Sequence, residues 1–188
     1  MVMGIQKKLF FKDCKSYFDS ARNILELGAQ HYLVDNKVVG YFTSLFDYPI
    51  TSIDLNGENG ALKINLAKDL PDLPSYGLIT NFGTTEHVSN QYQCWKNIHQ
   101  LLDNDGIIIS EIPEIGSWKN HCRYYVDKRF FNSLSKDFEI LSYKQIFYPD
   151  NGNLCFCIMK KISNKFITSE DELMQFVQIV NNKDRISY

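Results

Sequence analysis

Two short segments carry most of the legible chemistry in this chain. Asn23-Ile-Leu-Glu-Leu-Gly-Ala-Gln30 is an apolar run that ends in an acid and a glycine. Thr51-Ser-Ile-Asp54-Leu-Asn-Gly57 is a second apolar run that ends in an aspartate. A strand that closes on a glycine turn lets a ligand approach the backbone, and a carboxylate at the end of the next strand offers two acceptor oxygens to a ribose diol. Types and spacing together describe a nucleoside-binding α/β domain.

The elements that position these residues can be read from periodicity. Residues 10–20 read as a helix and Ile24–Leu27 as a short buried strand. Asn36–Phe46 places Val38, Phe42, Leu45 and Phe46 at helical spacing, which predicts a helix. Ile50–Leu55 and Leu62–Leu66 read as short strands, and Tyr76–Phe82 as another that starts beyond the breaker Pro71-Asp-Leu-Pro74. Glu86–Leu102 predicts an amphipathic helix with Val88, Tyr92, Trp95, Ile98 and Leu102 on one face. Asn104-Asp-Gly106 then turns the chain into the strand Ile107–Ile112. Strands alternating with helices imply a parallel, doubly wound sheet. The end of the domain breaks that pattern. Phe138–Tyr148 and Leu154–Lys160 are separated only by Pro149-Asp-Asn-Gly-Asn153, too short for a crossover, so they must pair antiparallel. In the segment Ser163–Tyr188, Thr168-Ser-Glu-Asp-Glu reads as a cap for a helix carrying Leu173, Phe176, Val177 and Val180.

Composition narrows the class further. With 188 residues, 44% hydrophobic and 22% charged, the chain suits one globular domain with a proper core. A net charge of −2 and a pI near 6.1 give no electrostatic footprint for long nucleic acid, although a short or terminal RNA stays open as a substrate. No run of 18 apolar residues occurs, and the Lys7-Lys8 start lacks the apolar core of a signal peptide. The five cysteines form no CxxC pair, which points to a reduced, cytoplasmic protein, with Cys155 and Cys157 as small core hydrophobes.

Several blocks resemble the class I S-adenosylmethionine-dependent methyltransferases, over residues 20–161. Ile24-Leu-Glu-Leu-Gly28 is similar to that family's first motif and Ser52-Ile-Asp54-Leu to its second. Asn65-Leu66 falls where its third strand ends. Tyr76-Gly-Leu-Ile-Thr-Asn-Phe-Gly-Thr-Thr-Glu-His-Val88 resembles its fourth-strand block, and Leu101-Leu-Asp-Asn-Asp-Gly106-Ile-Ile-Ile its fifth. Arg123-Tyr-Tyr125 with Phe130, Phe131 and Leu134 is similar to the helix before its sixth strand. The resemblance implies a three-layer Rossmann-like sandwich, with a mostly parallel seven-stranded sheet ending in an antiparallel hairpin. It divides the chain into a methyltransferase domain, 1–162, and a C-terminal helical tail of the same domain, 163–188.

The same resemblance implies S-adenosylmethionine as cofactor and assigns site residues. Gly28 lets the loop pass under the cofactor, while Glu26 organises that loop or meets the methionine ammonium. Asp54 takes the ribose hydroxyls, with Leu55 against the adenine and Asn65 and Leu66 at its border. Asn81, Phe82 and Gly83 line the sulfonium end. The family's first motif usually continues Gly-x-Gly, whereas this chain has Gly28-Ala-Gln30. Gln30 either hydrogen-bonds the amino-acid moiety or blocks the site. Glu86, His87 and His121 are the candidate catalytic residues, and with Tyr124 the candidate acceptor-binding ones. Glu-His followed by a later His is also similar to the metal site of small-RNA 2′-O-methyltransferases and quinone O-methyltransferases. Those proteins have another glutamate three positions earlier, where this chain has Gly83, so no metal is expected. The function implied is methyl transfer to a small-molecule or sugar-like hydroxyl, with little chain left for a lid unless a homodimer closes the site. The alternatives are a non-catalytic binding module and a metal-assisted O-methyltransferase acting on an RNA end or a catechol-like acceptor.

Overall fold

Side chains on both faces of Ile24–Leu27 and Tyr76–Phe82 are almost all buried. Strands of this kind belong in the middle of a sheet that is covered on both sides. The structure, a computed structural model, describes residues 4–6, 14–34, 37–47 and 49–180. In chain order the strands are β1 (Gly4–Gln6), β2 (Ile24–Leu27), β3 (His31–Val34), β4 (Lys37–Tyr41), β5 (Thr51–Asp54), β6 (Leu62–Lys63), β7 (Tyr76–Phe82), β8 (Leu102–Pro113), β9 (Tyr124–Tyr125), β10 (Phe138–Tyr148), β11 (Gly152–Lys161) and β12 (Gln178–Ile179). The helices are α1 (Lys15–Ser20), α2 (Gln91–Leu101), α3 (Lys128–Ser133) and α4 (Glu170–Met174).

The main sheet has seven strands in the order β10-β11-β8-β7-β2-β5-β6. All neighbours from β8 to β6 pair parallel, and β11 runs antiparallel to both β8 and β10. The expected terminal hairpin is therefore present. Two cores sandwich the sheet. On one face Trp95 of α2, Phe130 and Phe131 of α3 and Leu173 of α4 pack on Leu25, Leu27, Ile79 and Ile108. On the other, Phe18 of α1 and Phe42 pack on Ile24, Leu78, Phe82, Ile109 and Phe156. This is a three-layer arrangement. No described helix is long and apolar enough to cross a membrane.

Several local readings change. Asn104-Asp-Gly106 lies inside β8, which starts at Leu102, and Tyr124–Tyr125 is a strand, with the helix before β10 confined to Lys128–Ser133. Residues 37–46 are not a helix: β4 pairs antiparallel with β3, and Phe42–Leu45 forms a single 3-10 turn. Val38, Gly40 and Tyr41 are poor helix formers, and the β-branched and aromatic types among them suit a strand. Asn36 itself, like residues 10–13 of the first expected helix, lies outside the described residues. The strand expected over Leu62–Leu66 stops at Lys63, because Asn65 Oδ1 accepts the Ala67 N–H at 2.9 Å and turns the chain. The helix expected from Glu86 begins at Gln91; Asn90 caps it by accepting the Gln93 N–H, while Thr85–His87 forms a separate 3-10 turn. The tail helix covers only Glu170–Met174, with Ser169 and Glu172 closing a capping box. Val180 leaves that helix: β12 pairs with β9, and the Val180 N–H donates to Arg123 O at 2.9 Å. Residues 181–188 lie outside the described residues.

Candidate active site

The loop between β2 and β3 is shaped by one glycine. Gly28 sits at φ 78°, where L side chains are strained, and a Cβ there would overlap Thr84 Oγ1 and stand 2.7 Å from Gln30 Nε2. Three successive N–H groups then donate inward. Gly28 donates to Ile53 O at 2.7 Å, Ala29 to Asp54 Oδ2 at 3.1 Å, and Gln30 to Glu26 Oε1 at 3.1 Å. Asp54 Oδ1 accepts the Asn56 N–H at 3.0 Å, so each of its oxygens holds one backbone donor. Glu26, which also accepts from Ser52 Oγ, is buried; that burial pushes its carboxyl up to about 7, against the pull of its hydrogen bonds. The Gln30 amide reaches Thr84 Oγ1 at 3.1 Å, and Thr84 Oγ1 donates to Leu27 O at 2.6 Å. Gln30 is thus held against the loop after β7.

Above this loop lies an open cleft of about 450 Å³ at the C-terminal edge of the parallel strands. Of the residues expected to meet a cofactor, Gly28, Gln30, Asp54, Leu55, Asn65, Leu66 and Gly83 line it. Glu26 stands behind the loop. Asn81 and Phe82 are outside the cleft lining. The Asn81 amide donates to Thr85 Oγ1 and Ser110 Oγ, both at 2.8 Å, and accepts from the Thr84 and Thr85 N–H groups. Phe82 faces the opposite core, 5.3 Å from the Phe42 ring. Sequence reasoning missed Asn56, Ile64, Thr84 and Val88, which also line the cleft. Thr84 could have been suspected, since it directly follows Gly83, the first residue beyond β7.

Beyond Gly83 the 3-10 turn carries Glu86 and His87, and the loop before β9 brings His121 to them. Glu86 Oε1 stands 3.7 Å from His121 Nε2 and 3.9 Å from His87 Nε2. The two imidazole rings lie 5.1 Å apart. Glu86 and His121 are buried, while His87 borders the cleft. Tyr124 is a support here: its hydroxyl donates to Ser89 O at 2.6 Å. Trp118 packs on His121 at 5.4 Å and on Tyr148 at 5.5 Å, and the Tyr148 hydroxyl donates to Glu111 Oε1 at 3.3 Å. Nothing in the sequence pattern joined Glu111 and Tyr148 to this end of the sheet.

Burial pushes the Glu111 carboxyl up to about 7; the Tyr148 hydrogen bond and Lys144 oppose this and Glu86 adds to it. Because folding raises this pKa, the native protein keeps a proton that the unfolded chain releases between about pH 4.5 and 7. Stability contributed by the protonated form is therefore lost as pH rises through that window. Glu111→Gln should remove this loss, gaining on the order of 2–3 kcal/mol over the parent between pH 5 and pH 8. Urea titrations at the two pH values measure it; a pH-independent difference would mean that Glu111 is ionised in the folded protein.

No protein-family model and no curated protein matches the sequence. Solved structures do. The fold is similar to that of N-methyltransferase NodS from Bradyrhizobium japonicum WM9, crystallised with S-adenosyl-L-homocysteine. The TM-score is 0.57 at 12% identity, over 76% of this chain and 79% of that one. It is similar to Burkholderia thailandensis 1,6-didemethyltoxoflavin-N1-methyltransferase, bound to 1,6-didemethyltoxoflavin and S-adenosylhomocysteine, with a TM-score of 0.54 at 15% identity over 76% and 72%. It is also similar to StiE O-MT residues 961–1257, with a TM-score of 0.55 at 12% identity over 89% and 75%. At these identities the likeness is one of fold. The chain has the class I methyltransferase fold, with its cleft at the carboxyl ends of the parallel strands.

Proposed function

We propose that the protein is an S-adenosylmethionine-dependent methyltransferase that acts on a hydroxyl of a small-molecule acceptor. The observation that carries this reading is one cleft lined by the Gly28 loop, Asp54 and His87, with Glu86 and His121 buried behind His87. The cleft suits a nucleoside without phosphates. The N–H groups of Gly28, Ala29 and Gln30 all donate within the protein, so the loop offers no nest for a pyrophosphate.

When bound, the cofactor supplies a methyl group already activated by its sulfonium and leaves as S-adenosylhomocysteine. The chain's own residues bind and orient. Asp54 accepts the ribose hydroxyls on lone pairs left beside its two backbone donors. Leu55, Ile64 and Leu66 flank the adenine, with Asn65 at its border. Gly28 keeps the loop clear of a side chain, and the Gln30 amide offers donors and an acceptor to the amino-acid portion. At the other end His87, which borders the cleft, meets the acceptor hydroxyl and eases the loss of its proton, while Glu86 and His121 behind it position the His87 ring. All five cysteines are buried and none is joined in a disulfide among the described residues, which supports a reducing, cytoplasmic setting.

Calorimetry with S-adenosylhomocysteine tests the reading. The parent should bind, and Asp54→Ala should lose about 1.5–3 kcal/mol, roughly ten- to a hundredfold in affinity. No binding to the folded parent would favour a non-catalytic module. Equal binding by Asp54→Ala would misplace the ribose.

A further inference from the structure

Glu86 is the least explained charge-bearing side chain in the described structure. Its side chain is 1% exposed, and neither carboxylate oxygen receives a hydrogen bond from a described residue. A buried carboxylate in that position needs a cation or a proton. Two imidazoles aim at it from different segments, and one ligand atom from each of Glu86, His87 and His121 falls within 4.8 Å of the others. We infer that these three residues form a binding site for a first-row divalent transition ion at the acceptor end of the cleft. The site adjoins the cleft of the methyl-transfer reading through His87, but ion binding does not depend on that reading; only the ion's use does.

The distances support a shared ligand. Two atoms bound at about 2.0–2.2 Å to one ion stand about 3–4 Å apart, and the two Glu86–histidine separations are 3.7 and 3.9 Å. The bound on the full set, 4.8 Å, is wider than one ion spans, so side-chain rotation must draw the two imidazoles together when an ion binds. The donor types choose the metal. Magnesium and calcium select oxygen-rich shells, whereas imidazole nitrogen suits zinc, cobalt, nickel and iron(II). Gly83 contributes no oxygen side chain that would shift the balance. Three protein ligands leave positions for water or substrate, as in catalytic rather than structural sites. His87 borders the cleft while Glu86 and His121 lie behind it, so those positions face the acceptor. An acceptor oxygen seated there would become more acidic, its proton passing to solvent at the open mouth of the cleft.

The test uses the untagged full chain after treatment with a chelator. Titration with Co2+, read by visible absorbance, and with Zn2+, read by calorimetry, should show one equivalent per chain. A millimolar excess of Mg2+ should not displace it. His87→Ala, at a part-exposed position that tolerates truncation, should weaken binding about a hundredfold or more, as should Glu86→Gln, which keeps the side-chain size. Absence of Co2+ and Zn2+ binding by the folded parent would overturn the inference, and so would unchanged binding in both variants. Displacement by Mg2+ would overturn the transition-ion assignment. Calorimetry with S-adenosylhomocysteine on the same metal-free protein keeps the two ideas separate. Cofactor binding without metal binding defeats only this inference, and metal binding without cofactor binding defeats only the methyl-transfer reading.

Discussion

Gly28→Ala is expected to lower S-adenosylhomocysteine affinity more than about a hundredfold, beyond about 3 kcal/mol, while the chain stays folded. Two costs add. The left-handed conformation at φ 78° penalises any L side chain by about 1–2 kcal/mol. The new methyl would also overlap Thr84 Oγ1 and crowd Gln30 Nε2, so the Gln30–Thr84 and Thr84–Leu27 hydrogen bonds must break or stretch. Each such bond contributes about 0.5–1.5 kcal/mol. The loop can relieve the overlap only by moving into the cleft or away from Asp54, and either move spoils the cofactor floor. Calorimetry with circular dichroism as the folding control measures the effect. Binding within tenfold of the parent would show that the loop is not the floor of a cofactor site.

How far the sequence could be read depends on how local each signal is. The strands β2, β7 and β10 match their expected spans because apolar runs bounded by turns leave little choice. The segment after Gln30 misled because Phe42, Leu45 and Phe46 do sit on one core, but through a strand and a 3-10 turn instead of a helix. Apolar spacing alone cannot tell these apart over ten residues. A stricter use of strand period would have improved the site reading. Asn81 and Phe82 are consecutive in β7, so their side chains point to opposite faces and cannot both meet one ligand. The structure sends Phe82 to the far core and Asn81 into the turn that presents Thr84 and Thr85. Glu86, His87 and His121 were picked by type and position near strand ends, and the fold does bring the three together. Glu111, Trp118 and Tyr148 were not, because their roles depend on pairings across the β8–β11–β10 edge that no local pattern carries.

The position of Glu86 and His87 depends in turn on a residue outside the cleft, and Trp95→Ala should therefore cost about 3–5 kcal/mol of stability. Trp95 is fully buried against Phe130 of α3, with ring centroids 5.4 Å apart, and near Phe131 and Phe138 at 6.4 and 6.5 Å. Truncating it opens a cavity where α2 and α3 meet the sheet, and a loss of this size is a large share of the roughly 5–15 kcal/mol that holds a domain together. The effect reaches the site through the start of α2. There the Gln91 side chain donates to Thr85 O at 2.6 Å and Val88 O at 2.8 Å, tying the helix to the turn that carries Glu86 and His87. Trp95→Phe should lose less than about 1.5 kcal/mol, since it keeps an aromatic ring and removes an indole N–H with no acceptor among the described residues. Urea unfolding followed by circular dichroism distinguishes the two variants. A loss below about 1.5 kcal/mol for Trp95→Ala would mean that the core around α2 collapses to fill the gap, and the turn would then owe its placement to Asn81 and Tyr124 instead.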